Sequence, residues 1–183
     1  MAGRMPGVAL SDTGQEQARV LAEGIAGLPV RAVFTSPVQR AQETAAPLAA
    51  RLGLTPQVEP GLDEIDVGAW TGASFDALHA QPGWRAWNRF RGFAPTPGGE
   101  TMVAVQARAL ALVGRLCRDW PDAELVLVSH SDVLKAVLMQ FLGMPLDLMH
   151  RIEVAPASRS VLDVFDEDAR VEAINLPVGC LQV

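Results

Sequence analysis

Val33-Phe34-Thr35-Ser36-Pro37-Val38-Gln39-Arg40-Ala41-Gln42-Glu43-Thr44 carries the chain from a short apolar strand directly into a helix. Ser36 is placed to cap that helix, Pro37 suits its first position, and Gln39 three residues on completes a capping box. Free amide donors and the positive end of the helix dipole then point to where the chain leaves the sheet. Arg40 adds a forked cation there, a combination suited to an anion such as phosphate. Taken alone, the stretch also fits an ordinary capped helix with a surface arginine.

The flanking sequence alternates in the same way. Thr13-Gly14-Gln15-Glu16 reads as a capping box, and Ala18, Leu21, Ala22 and Ile25 follow at helical spacing, which predicts a helix over 13–28. A strand at 32–35, a helix from Pro37 to Leu52 that stops at Gly53, and a short strand near 55–58 form a crossover unit. Residues 74–91 read as helical in part, with Trp84, Trp87 and Phe90 at spacings of three, and Pro95-Thr96-Pro97-Gly98-Gly99 breaks the chain. An amphipathic helix is predicted over 100–120. Leu125-Val126-Leu127-Val128 reads as a strand buried on both faces, and Ser131 or Asp132 as the cap of a helix ending at Leu142-Gly143. Strands at 160–165 and 170–174 are expected to meet at Asp166-Glu167-Asp168 as a hairpin. The pattern predicts one domain over residues 1–183, a three-layer α/β/α sandwich with a largely parallel sheet. Ligands belong beyond the carboxyl ends of its strands.

The chain has 183 residues, 49% hydrophobic and 20% charged, with a net charge of −6. That balance argues against nucleic acid or an anionic membrane as partner, so an anionic substrate has to meet locally concentrated arginine. Cys117 and Cys180 are too few and too far apart for a disulfide framework or a zinc site. The segment Met1-Ala2-Gly3-Arg4-Met5-Pro6-Gly7 has no apolar leader core, and no later run reaches membrane-spanning length. These features predict a cytoplasmic protein that uses no membrane.

A second strand-to-helix junction, Val128-Ser129-His130-Ser131-Asp132, puts a histidine at a strand tip facing the crevice of Arg40. Such a ring can bond an anion when protonated or carry a proton, although a lone strand-end histidine is also commonly satisfied by a nearby carbonyl. His79 reads as mid-helix among surface residues, and His150 follows Met149 after a proline-started turn. The loop Leu62-Asp63-Glu64-Ile65-Asp66-Val67-Gly68-Ala69-Trp70-Thr71-Gly72 carries three carboxylates. Glu64 is the candidate general acid or base, with Asp63 and Asp66 read as solvated; the spacing does not match an EF-hand and no second cluster supports a metal, so no metal is expected, and the expected reaction needs no cofactor. Pro97-Gly98-Gly99-Glu100-Thr101 can present backbone amides. Trp84, Trp87 and Phe90 read either as core or as a roof over the pocket.

In this order, the segments Ser36–Thr44, Leu62–Gly72, Pro97–Thr101 and Val128–His130 resemble the histidine phosphatase superfamily, its phosphoglycerate-mutase-like branch. Residues 10–18 resemble the first helix of that family, and Gly3-Arg4 the glycine-arginine of the loop before it. The resemblance implies that Arg40, with Arg4 and His130, binds the phosphate of a small phosphorylated metabolite. It further implies that Glu64 donates and accepts the proton and that His130 stabilises the transferring phosphoryl group. Ser131 stands where glycine is usual.

The family's nucleophile lies in an arginine-histidine-glycine motif ending a first strand, and this chain has no such motif; its first histidine is His79. Three readings follow. In one, Met1 is internal to a longer product whose preceding strand supplies the nucleophile, so that the sheet as given lacks its first strand. In another, the chain is a pseudoenzyme that binds phosphate esters without turnover. In the third, His130 and Glu64 act as an acid and base pair in different chemistry. The first is preferred, because deleting an interior strand leaves buried ladder groups unpaired at about 1 to 3 kcal/mol each. The expected activity is hydrolysis of a phosphate monoester through a phosphohistidine, with mutase-type phosphotransfer as the alternative. Oligomeric state is left open, a homodimer included.

Overall fold

A computed structural model describes residues 1–165 and 168–177. Helix α1 (Asp12–Gly24) precedes strand β1 (Val30–Thr35), helix α2 (Gln39–Leu52) and strand β2 (Gln57–Val58). Two short helices, α3 (Phe75–His79) and α4 (Pro82–Arg89), lead to the long α5 (Met102–Asp119). Strand β3 (Glu124–Val128), helix α6 (Ser131–Phe141) and strands β4 (Arg159–Val164) and β5 (Ala169–Leu176) complete the order.

Strands β2, β1 and β3 form a parallel sheet in that spatial order, with Thr35 level with both Val58 and Val128. Alternation along the strands sends side chains to opposite faces. Ala32, Phe34, Leu125 and Leu127 pack toward Leu112 and Leu116 of α5. On the other face, Val33, Val126 and Val128 meet Ala22 and Ile25 of α1 and Ala45, Leu48 and Ala49 of α2. This is the expected three-layer sandwich. The hairpin β4–β5 is a separate antiparallel sheet whose Val171 and Ile174 dock on the core around α6. Asp166 and Glu167 of the expected turn lie outside the described residues.

A second core lies between α4, α5, α6 and the loop around Trp70. Trp70, Trp84 and Trp87 stand 5.3–5.5 Å apart by ring centroid, and Trp70 donates its indole N–H to Gln81 at 2.9 Å. Trp84 and Trp87 are therefore core, while Phe90 is exposed.

Four local expectations are corrected. Helix α1 starts one residue early, capped by Ser11, whose hydroxyl accepts from Gly14 N, and it ends at Gly24. Helix α2 begins at Gln39 with Val38 as its cap residue and no side-chain cap, later than expected; just ahead of it the Ser36 hydroxyl accepts from Val38 N at 3.2 Å and also meets His130. Helix α6 is led by His130; Ser131 donates instead to Val154 O, and Asp132 pairs with Arg91. Strand β3 is only half-buried from Leu125 to Val128, since among the described residues it pairs on one side alone.

Candidate active site

The two strand-to-helix junctions lie side by side. Ser36 N donates to Val128 O at 2.9 Å, which fixes the tip of β1 against the tip of β3 and brings Ser36, Arg40 and His130 together. Arg40 Nη2 reaches Gly3 O at 3.0 Å, His130 Nδ1 at 3.2 Å and Glu64 Oε2 at 3.3 Å. His130 Nδ1 is 3.5 Å from the same Glu64 oxygen, and His130 Nε2 lies 2.8 Å from Ser36 Oγ. Arg40 Nη1 is buried and has no acceptor among the described residues. A buried guanidinium donor without a partner is costly, and an anion's oxygen would satisfy it.

Glu64 belongs to an irregular loop held almost entirely by charged side chains. Arg108, from α5, donates to Gly61 O at 2.9 Å and to Asp63 O at 2.7 Å, and reaches Glu64 O at 3.1 Å. Its Nε meets Glu100 Oε1 at 2.9 Å. Arg4 meets Glu64 O and Glu100 Oε2 at 2.7 Å each, and Asp63 at 3.0 Å. Glu100 also accepts from Asp66 N at 3.0 Å. Ser129, just before His130, donates to Leu62 O at 2.7 Å and joins this loop to the tip of β3.

Farther along, the loop is sewn to the turn at Gly98-Gly99. Ala69 N donates to Pro97 O and Glu100 N to Asp66 O. The approach demands glycine: a Cβ on Gly68, whose φ is +54°, would sit 2.1 Å from Pro97 O. Asp63 and Asp66, expected to be solvated, cap this loop instead, accepting from Glu64 N and Gly68 N at 2.8 Å each.

Protonation follows from burial. The Glu64 carboxyl is raised from 4.5 to about 7, first by desolvation and further by Asp132, against the Ile65 amide, Arg40 and Arg108 that favour its charge. The Ile65 amide bonds Oε1 at 2.9 Å, which leaves Oε2 facing Arg40 and His130. His130 moves the other way, from 6.5 to about 3, first by desolvation and then by the positive field of Arg40, Arg108 and Arg4. At neutral pH the ring is therefore neutral and Glu64 is divided between its two states. An acid poised at working pH beside a neutral imidazole and an arginine can protonate a leaving oxygen and then accept a proton back.

All four residues singled out in the sequence lie in or beside this cluster: Arg40, Glu64 and His130 at its centre, with Arg4 turned toward the Glu64 loop. His79 is exposed at the end of α3, and His150 contacts the Asn88 carbonyl. Sequence reasoning missed Arg108, Ser36 as a partner of His130, and the buried pair Arg91–Asp132. Arg91 lies with its guanidinium 3.3 Å above the Trp87 ring and 2.9 Å from Asp132. Arg108 left one signal: it occupies the inward stripe of α5 with Val105, Ala109, Leu112 and Leu116, where a charge needs a buried partner.

A model of the histidine phosphatase superfamily (branch 1) matches residues 1–177. An uncharacterized protein of Mycobacterium tuberculosis is 37% identical over 134 residues, 70% of this chain and 63% of the relative. The glucosyl-3-phosphoglycerate phosphatase of Mycolicibacterium vanbaalenii is 36% identical over 147 residues, 75% of this chain and 65% of the relative. The chain thus matches slightly less than two thirds of the length of these curated relatives. A solved mycobacterial glucosyl-3-phosphoglycerate phosphatase in complex with inorganic phosphate superposes with a TM-score of 0.86 at 30% identity. That superposition covers 97% of this chain and 92% of the other.

Proposed function

The chain belongs to the histidine phosphatase superfamily, branch 1, and from that premise we propose that it is a phosphatase hydrolysing a small phosphate monoester through a phosphohistidine. The observation that carries the reading is the convergence of Arg40, His130 and Glu64 within 3.2–3.5 Å of one another, with Glu64 poised at about 7. Arg40 and His130 hold phosphoryl oxygens. Protonated Glu64 gives its proton to the leaving oxygen as the phosphorus–oxygen bond breaks; its carboxylate then takes a proton from the water that attacks the phosphohistidine. Arg4 fixes the Glu64 loop through Glu100 and the Glu64 carbonyl.

The attacking nitrogen is that of a histidine outside residues 1–183, since of the three histidines His79, His130 and His150 only His130 stands in the site. Among the described residues β3 pairs with β1 alone, so one edge of the parallel sheet lies beside His130. Two of the proteins named above are glucosyl-3-phosphoglycerate phosphatases, and one of them is solved in complex with inorganic phosphate.

A second reading, a binding protein for phosphate esters, is favoured by one observation. The three histidines of the chain are His79, His130 and His150, and only His130 stands in the site. Two measurements separate the readings. Vanadate should raise the melting temperature of this chain, and Arg40→Ala should weaken that binding at least about tenfold, since it removes charged hydrogen bonds; protection that survives Arg40→Ala overturns the site. Hydrolysis of an aryl phosphate by the chain with its native upstream residues, and none by this chain alone, supports the phosphatase. No hydrolysis by either supports the binding protein.

A further inference from the structure

Arg91 is the one buried arginine among the described residues. Its guanidinium lies 3.3 Å above the Trp87 ring, gives Nη1 to Asp132 Oδ2 at 2.9 Å and gives Nη2 to Asn88 Oδ1 at 3.3 Å. Only 6% of its side chain is exposed, against 26% for Asp132. A substrate therefore meets the carboxylate and not the cation. Burying such a pair carries a desolvation cost that a merely structural contact between apolar groups would avoid. What the buried arginine holds in place is Asp132, in the first turn of α6, two residues after His130. Arg91 occupies one carboxylate oxygen; the other, Oδ1, accepts no hydrogen bond among the described residues.

Within the site one role is open to that oxygen. Arg40 and His130 take the phosphoryl oxygens, and a carboxylate, which only accepts hydrogen bonds, would repel them. Glu64 protonates the leaving oxygen, so the leaving group lies on the Glu64 side. Asp132 stands on that side too: its charge acts on Glu64, and the charge of Glu64 acts on Arg91. We propose that Asp132 is a specificity-determining residue whose free oxygen accepts a hydrogen bond from a hydroxyl of the leaving group, so that the substrate is the phosphate monoester of an uncharged polyhydroxy alcohol, a sugar or a polyol. Arg91 matches the charge of Asp132 at 2.9 Å, so the pair has no net charge with which to draw an ammonium or a second anion. A hydroxyl brings a donor without a charge, and that is what the pair selects.

The role of Asp132 rests on the reading of Arg40 and His130 as a phosphate-ester site. Phosphonates, whose carbon–phosphorus bond is not hydrolysed, test it in this chain without turnover. Calorimetry compares 2,3-dihydroxypropylphosphonate with propylphosphonate and with the 3-aminopropyl and 2-carboxyethyl phosphonates. The dihydroxy ligand should bind about tenfold more tightly than the propyl one, the scale of a hydrogen bond to a charged acceptor, and the amino and carboxy ligands no more tightly than propyl. Asp132→Ala should abolish the preference while propylphosphonate still binds. A purely structural part for Asp132 would shift the affinities together and keep the dihydroxy preference, which overturns the proposal; a wild type that favours the amino or carboxy ligand overturns it as well. If Asp132→Ala does not fold with Arg91 left unpaired, the double variant Arg91→Met, Asp132→Ala removes both charges and is read by the same ratio. Equal binding of every phosphonate to the wild type overturns the role of Asp132 and leaves the phosphate site standing. Binding of none of them, nor of vanadate, brings down both.

Discussion

His130 hangs from the tip of β3, where the sheet ladder and the start of α6 fix its backbone, whereas Glu64 rides on a loop without regular structure, tied by Arg4, Arg108 and Glu100. The two side chains end 3.5 Å apart. One is held by backbone hydrogen bonds that any sequence of suitable pattern can form, the other by named charges whose loss has no substitute. The burial that keeps His130 neutral also keeps Glu64 partly protonated, so the two groups depart in opposite directions from their ordinary titration. A strand tip gives a fixed position cheaply; an ionic clamp gives position together with an electrostatic setting.

The largest expected effect comes from cutting that clamp. Arg108→Met removes the Arg108 donor from the carbonyls of Gly61 and Asp63, leaves Glu64 O to Arg4 alone and Glu100 short of a partner, at a cost of about 3 to 5 kcal/mol. Urea unfolding measures it, and a loss below about 1 kcal/mol would show that the loop is held by other means. Next comes the contrast in protonation. Folded Glu64 binds more protons than unfolded Glu64 between about 4.5 and 7, so its burial makes stability fall as pH rises through that window. Folded His130 binds fewer protons than unfolded His130 between about 3 and 6.5, so stability rises with pH there.

Between pH 4.5 and 6.5 the two slopes oppose each other. Glu64→Gln should therefore add up to about 1.4 kcal/mol per pH unit to the slope in that overlap, and His130→Gln should subtract a similar amount. Unfolding curves across the window decide it, and slopes of the same sign in both variants would sink the opposed pair. Ser129→Ala, which unties Leu62 O from the tip of β3, should cost about 1 kcal/mol. At the small end, Arg51→Ala removes an exposed pair with Glu23 and should change stability by less than about 0.5 kcal/mol, as thermal melting can verify.

The same contrast governs what could be read from the sequence. The β1–α2 and β3–α6 junctions are legible because an apolar run followed by a helical period has few other realisations, and Arg40 and His130 come with them. The helix caps are less legible. Ser36 has the local chemistry of a cap and does accept from Val38 N, but its hydroxyl also meets a ring 94 positions later, which no local pattern announces. The clamp is least legible, since Arg108 and Glu100 act on carbonyls and amides more than 30 residues away in the chain. Only the anomaly of an arginine on the inward stripe of α5 marks it. The half-buried state of β3 likewise depends on what lies along its outer edge, which hydrophobicity within the strand does not encode.

The indole cluster gives the molecule a built-in optical gauge. Trp70 belongs to the loop of Glu64, while Trp84 and Trp87 belong to α4, and their rings meet edge to face or tilted at about 5 Å. Chromophores that close and that rigidly oriented couple in the near ultraviolet. The fourth, Trp120, lies against Phe34 on the other core and serves as an internal standard. Release of the loop from α4 would therefore dim one circular-dichroism signature while leaving the other in place, so the acid-bearing loop can be followed by light without any label.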